Sequence, residues 1–151
     1  MKLAPPGHKD RPGALNNLGI AWQERCHRTL SLPDLEQAVA ITREAVALSP
    51  DQGAHDPARA GRPANLAHLL KWRFEAVGRP ADIDEAIGLV DEALRIVPRH
   101  HPKRAELLPQ LVTHLQERFD TYRGLEDMRR ILDLERLMEA DGLVPEHGRG
   151  R

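Results

Sequence analysis

The chain has 151 residues, 36 of them Leu, Ile, Val or Phe, which suits one domain with a buried core and argues against global disorder. Charge is balanced at 22 basic against 23 acidic side chains, giving no electrostatic reason to expect DNA or RNA as a partner. A lone cysteine, Cys26, excludes an internal disulfide framework and any CxxC metal site, and no run of 18 apolar residues exists to cross a membrane.

The opening segment, MKLAPPGHKDRP, lacks the apolar stretch of a secretory leader, so none is expected. From there on the composition is helical. Ala (18) and Leu (21) outnumber the 17 Val, Ile and Thr that would favour a pleated sheet. Prolines and glycines cluster near 4–13, 50–63, 78–80, 98–102 and 142–150, and the runs between them predict helices over 11–28, 32–49, 58–77, 80–97, 102–121 and 125–140. The first, third and fifth carry apolar residues at spacings of three and four: Leu15, Leu18, Trp22 and Cys26; Leu66, Leu70 and Phe74; Leu108, Leu111, Leu115 and Phe119. The second carries Leu35, Ala38, Val39, Thr42, Ala45 and Val46, and the fourth Ile83, Ala86, Ile87, Val90, Ala93 and Leu94. Pro12, Pro80 and Pro102 suit first turns, whereas Pro50 and Pro98 suit helix ends. Pro63 and Pro109 fall inside predicted helices and imply a late start or a kink.

The helices repeat in pairs. At an offset of 48, DLEQAV (34–39) falls on DIDEAI (82–87); at a further 45, WRFEAV (72–77) falls on ERFDTY (117–122). Three copies result, over about 8–50, 55–98 and 100–145, with a disordered tail expected at 146–151. The third copy departs from the others. Ile131 and Met138 replace small alanines, and Glu135 stands where Thr42 and Val90 would face a following copy, so the last helix is expected to end the array.

Laid on these copies, Leu15, Leu18, Gly19 and Trp22, then Ala38, Thr42, Ala45 and Pro50, occupy the slots of the tetratricopeptide pattern. The gap from Gly19 to Ala38, matched by Ala67 to Ala86, is 19 residues, seven more than the usual 12 and about two extra helical turns. The phrases RPGALNNLG and DLEQAVAITREAVALSP resemble the long tetratricopeptide-type repeats of large actinobacterial and fungal proteins, often found beside CHAT peptidase domains or signalling ATPases. The resemblance implies an all-α fold, a right-handed α-solenoid of three antiparallel helix pairs whose first helices line a concave groove. With 18 Arg against 4 Lys, it also suggests a GC-rich bacterial source and a cytoplasmic location.

Helical spacing places three rows in that groove: Asn17, Ile20 and Glu24; Asn65, His68 and Trp72; Gln110, Thr113 and Glu117. The in-register amides Asn17, Asn65 and Gln110 have the donors and acceptors to hold an extended peptide, and equally to tie neighbouring copies together. Trp72 suits a binding anchor as well as a packing role between copies. No Lys or Arg stands in these rows, so the family's clamp for a C-terminal carboxylate is not expected. Arg25, Arg73 and Arg118 recur nine residues before Asp34, Asp82 and Asp127, which predicts structural bidentate pairs. The histidines His8, His55, His100 and His101 lie a copy apart and do not make a converging metal set. Ser31 and Ser49 sit at helix ends, Cys26 shares a core slot with Phe74 and Phe119, and neither a phosphate loop nor HExxH is present. The expected function is therefore a non-catalytic, cofactor-free module that binds a protein or peptide partner. Two further readings are a regulatory or truncated sensor array working with a CHAT-type peptidase or signalling ATPase, and, more remotely, a metal-dependent hydrolase using loop histidines.

Overall fold

A computed structural model describes residues 5–48 and 57–143. Pro50, His55 and the tail from Glu146 lie outside the described residues. Six α-helices follow one another: α1 (Arg11–Thr29), α2 (Leu32–Ala47), α3 (Gly61–Val77), α4 (Pro80–Ile96), α5 (Lys103–Tyr122) and α6 (Leu125–Ala140). Each packs chiefly on its neighbours in sequence, so the helices form three antiparallel pairs stacked one after another. Side-chain bonds join α1 to α3 and α3 to α5 on one side, and α2 to α4 and α4 to α6 on the other. No helix among the described residues is long and apolar enough to cross a membrane.

The helix boundaries follow from local chemistry. Pro33 and Pro80 sit in first turns, where a missing N–H costs nothing, and the Ser31 hydroxyl caps α2 by accepting from the Asp34 N–H at 3.4 Å. Pro63 takes the third position of α3, after a 3-10 turn at Pro57–Ala60, so it marks a late start. Pro109 lies within α5 and deprives the Ala105 carbonyl of its usual N–H.

Within every pair the turn has one geometry. Leu30, Gly78 and Arg123 all adopt left-handed backbone, with φ of 50°, 71° and 57°, and each donates its N–H across 2.7 Å to the carbonyl of Cys26, Phe74 or Phe119. Only Gly78 does so without a steric penalty. Leu30 and Arg123 carry a Cβ in this conformation, a cost that contacts beyond the turn can offset.

The clamp is the recurring Arg–Asp pair. Arg73 Nε and Nη2 donate to Asp82 at 2.8 and 2.7 Å, and Arg118 repeats the fork on Asp127 at 2.9 and 2.6 Å. In the first pair, Arg25 Nε and Thr29 Oγ1 share Asp34 Oδ2 at 2.9 and 3.0 Å. The three aspartates are buried, with only 6%, 3% and 5% of their surface exposed, so each needs a cation or donors beside it. The remaining nitrogen reaches further: Arg73 Nη1 meets Glu36 of the preceding pair at 2.7 Å, and Arg118 Nη1 meets Asp84 at 2.8 Å. Hydrogen bonds to the aspartate, then those to the second carboxylate, hold both guanidiniums protonated above the ordinary arginine range, against the opposing effect of burial. Glu36 is therefore a strut between repeats, although its surface position on α2 gives no hint of it.

The core runs unbroken from Cys26 to Ile131 through all three pairs. Helices approach closely where side chains are small. Ala38, Ala45, Ala86 and Ala93 have no exposed surface, and a Cβ added to Gly19 would overlap the Thr42 hydroxyl. The next pair sets Ala67 and Val90 in those two slots, both fully buried. In the last pair the slot of Thr42 and Val90 holds Glu135, which is exposed, so this slot packs against its own pair's first helix in the first pair and faces solvent in the last. Replacing Ala86 with Leu is expected to cost about 1–3 kcal/mol in urea unfolding, because a close-packed contact has no room for three more carbons. A variant as stable as the wild type would show that this slot is not a close helix contact.

Candidate functional site

The exposed face lined by α1, α3 and α5 carries polar, charged and aromatic side chains beside two depressions. One depression of about 250 Å³ is lined by Gln23, Asn65, His68, Lys103, Glu106 and Gln110, among others. A second, of about 280 Å³, lies between His27, His68, Lys71, Trp72 and Glu75. His68 borders both, so they form one path along the face. Trp72 is half-buried and stacks on His27, with ring centroids 4.5 Å apart and planes inclined by 27°. Lys71 stands beside it, paired with Glu75 one turn away and 4.0 Å from Glu117 of α5.

Of the nine residues placed in the groove by spacing, Asn65, His68, Trp72 and Gln110 line this path. Asn17, Ile20 and Glu24 are exposed but stand one position off the part of α1 that meets α3. That part is Asn16 and His27: Asn16 Oδ1 accepts from Asn65 Nδ2 at 3.4 Å, and His27 carries the Trp72 stack. The same offset recurs one helix on, where Gln110 Nε2 donates to the Ala64 carbonyl at 2.9 Å, and Lys71 rather than Trp72 approaches Glu117. These contacts between first helices join non-equivalent positions. Asn16, Ala64 and Lys71 each make their contact from the position before the row, whereas His27 reaches Trp72 from one turn further along. The amides at Asn65 and Gln110 thus tie neighbouring helices, which was one of their two expected roles. Thr113 is exposed and its hydroxyl returns to the Pro109 carbonyl at 2.9 Å. Spacing overlooked Gln23, His27, Lys71 and Lys103. Once the one-residue offset is applied, Gln23 and Lys71 fall out of the same repeat alignment, whereas His27 lies one turn beyond the rows.

Groups suited to chemistry elsewhere are engaged in structure. Cys26 is buried, its thiol 3.4 Å from the Ser31 carbonyl, and its pKa is pushed up by burial and then by the Asp34 charge. That makes it a poor nucleophile. Among the described residues no three His, Cys, Asp or Glu side chains converge as a metal-ligand set. His101 Nδ1 accepts from the Lys103 N–H at 3.1 Å, a local turn contact at the start of α5.

One buried histidine backs the site. His114, 1% exposed, occupies in α5 the slot that Leu69 fills in α3, and its Nδ1 has no hydrogen-bond partner among the described residues. Burial, then the positive charge of Lys71 and the proximity of His68, lowers its pKa to about 4. His68 is lowered too, by desolvation first and then by His27 and Lys71. For His114 the folded value lies below the unfolded one, so the unfolded chain takes up the proton first as pH falls. The stability contributed by keeping His114 neutral is present above pH 6.5 and is lost between there and about 4. Between pH 7 and 4 the wild type should lose about 3 kcal/mol more than His114→Leu in urea unfolding, the variant reproducing the Leu69 packing. Parallel pH profiles for the two proteins would show that His114 titrates normally.

Comparisons with protein-family profiles, with curated proteins and with solved structures return no match to this chain.

Proposed function

We propose that this chain is a non-catalytic interaction module of the tetratricopeptide type, which holds a peptide or a partner's helix along the face of α1, α3 and α5. The observation that carries the reading is Trp72: a half-buried indole, backed by His27, at the edge of a path shared by two depressions. Tryptophan in such a setting offers large apolar area at low entropic cost, with a polar N–H for orientation. The repeat arithmetic, the paired helices and the 19-residue spacing between small-residue slots support placement in that superfamily. Charges around the indole are mixed. Glu75 and Glu117 both address Lys71, whereas Glu24 is exposed, so the fitting ligand is an extended segment whose apolar residue meets Trp72 and whose flanks carry both signs.

The test is selection of binders from a random peptide library displayed against the full chain, followed by calorimetric titration of the selected peptides. Trp72→Ala should weaken binding by about 2 kcal/mol or more, and Trp72→Leu, which retains apolar packing, should still weaken it. Glu92→Ala, on the exposed side of α4, should leave affinity unchanged. Losses of equal size from Trp72 and Glu92, or from Glu92 alone, would overturn the assignment of this face.

A further inference from the structure

Four slots on each first helix recur through the array: Leu18, Leu66 and Leu111; Ala21, Leu69 and His114; Trp22, Leu70 and Leu115; Arg25, Arg73 and Arg118. In α3, the residues Leu66, Leu69, Leu70 and Arg73 are all buried, and in α5 the first three slots are at most 1% exposed. Each of those helices follows a second helix, α2 or α4, and its arginine takes a carboxylate from it: Glu36 for Arg73 and Asp84 for Arg118. In α1 the same slots are open. Ala21 is exposed, Leu18 and Trp22 are half-exposed, and the Arg25 side chain keeps 56% of its surface. Its Nε alone serves Asp34, its guanidinium lies 5.0 Å over the Trp22 ring, and no second carboxylate meets it among the described residues.

We infer that this open face of α1 is a docking site for a partner's amphipathic helix that carries an Asp or Glu opposite Arg25. The chemistry of the occupant is written in the two interfaces already built. Each uses a helix with a carboxylate near its N-terminus followed three residues later by a buried apolar side chain, Glu36 with Val39 and Asp84 with Ile87. Docking would join that carboxylate to the two-thirds of the Arg25 fork that Asp34 leaves unused and cover Trp22 with apolar surface. A second copy of the chain does not fit. Its last second helix, α6, which no later helix covers among the described residues, presents Arg129 at the slot of Glu36 and Asp84, so head-to-tail stacking would set Arg129 against Arg25. This surface is separate from the face around Trp72, and its test is independent of the peptide-binding reading.

The probe is a hydrocarbon-stapled peptide of residues 80–96, the α4 sequence with Asp84, bridged between positions 88 and 92 on its exposed side and titrated into isotope-labelled full chain. Amide and indole shifts should gather at Leu18, Ala21, Trp22 and Arg25. The Asp84→Arg peptide should bind about tenfold more weakly. Ala21→Glu in the chain, which leaves the Arg25–Asp34 bond in place, should abolish the shifts. No shifts, shifts confined to the face around Trp72, or equal binding of the two peptides would overturn the site. Sedimentation of the chain alone should give a monomer. A dimer broken by Ala21→Glu would make a second copy the occupant and overturn the assignment to a partner.

Discussion

A buried carboxylate beside a strained turn governs this molecule. Asp34, Asp82 and Asp127 enter the protein interior at the start of each second helix, where an unpaired charge would cost several kcal/mol. Arginine nine residues earlier satisfies them across a turn that requires left-handed backbone. The two features sustain one another. The turn brings the end of one helix within reach of the start of the next, and the ion pair holds Leu30 and Arg123 in a conformation that a residue with a Cβ disfavours. Because the fork has a third nitrogen, the same residue that closes one helix pair also grips the pair before it.

That third contact makes the array more than three hairpins in a row. In a solenoid, stability is a sum of unit terms and nearest-neighbour interface terms, and a shared arginine contributes to both. It also makes the two ends chemically unlike. Among the described residues the first arginine meets no second carboxylate and has an open apolar strip beneath it, whereas the last second helix carries Arg129 at the slot where Glu36 and Asp84 serve the following unit. One end invites a helix and the other repels one. The face around Trp72, at right angles to that logic, is built from residues the repeat leaves free to vary, which is where recognition is expected in proteins of this architecture.

Much of this was legible in the chain itself. The sequence placed five of the six helices to within two residues, the apolar spacing assigned many core positions although Leu18 and Trp22 stay half-exposed, and the nine-residue Arg–Asp interval was readable as a structural pair because both partners recur. Glu36 and Asp84 were not read, since they lie more than thirty residues from the arginines they serve and their third equivalent is Arg129. The left-handed turns were visible only at Gly78, as Leu30 and Arg123 carry no turn signature. On the candidate site, spacing aligned Asn17, Asn65 and Gln110, and the α1 residue that meets Asn65 is Asn16, one position earlier. Periodicity aligns equivalent positions, whereas contact is made between positions that are not equivalent. His114 was passed over because a histidine on an apolar stripe gives no sign of whether it is buried.

The central claim is that one arginine couples adjacent repeats, and a double-mutant cycle on Glu36 and Arg73 tests it most directly. Unfolding free energies of the wild type, Glu36→Ala, Arg73→Met and the double variant should reveal a coupling of about 1 kcal/mol or more between residues 37 apart in sequence. Effects that add to within about 0.3 kcal/mol would contradict the account, leaving Arg73 as a clamp for Asp82 alone.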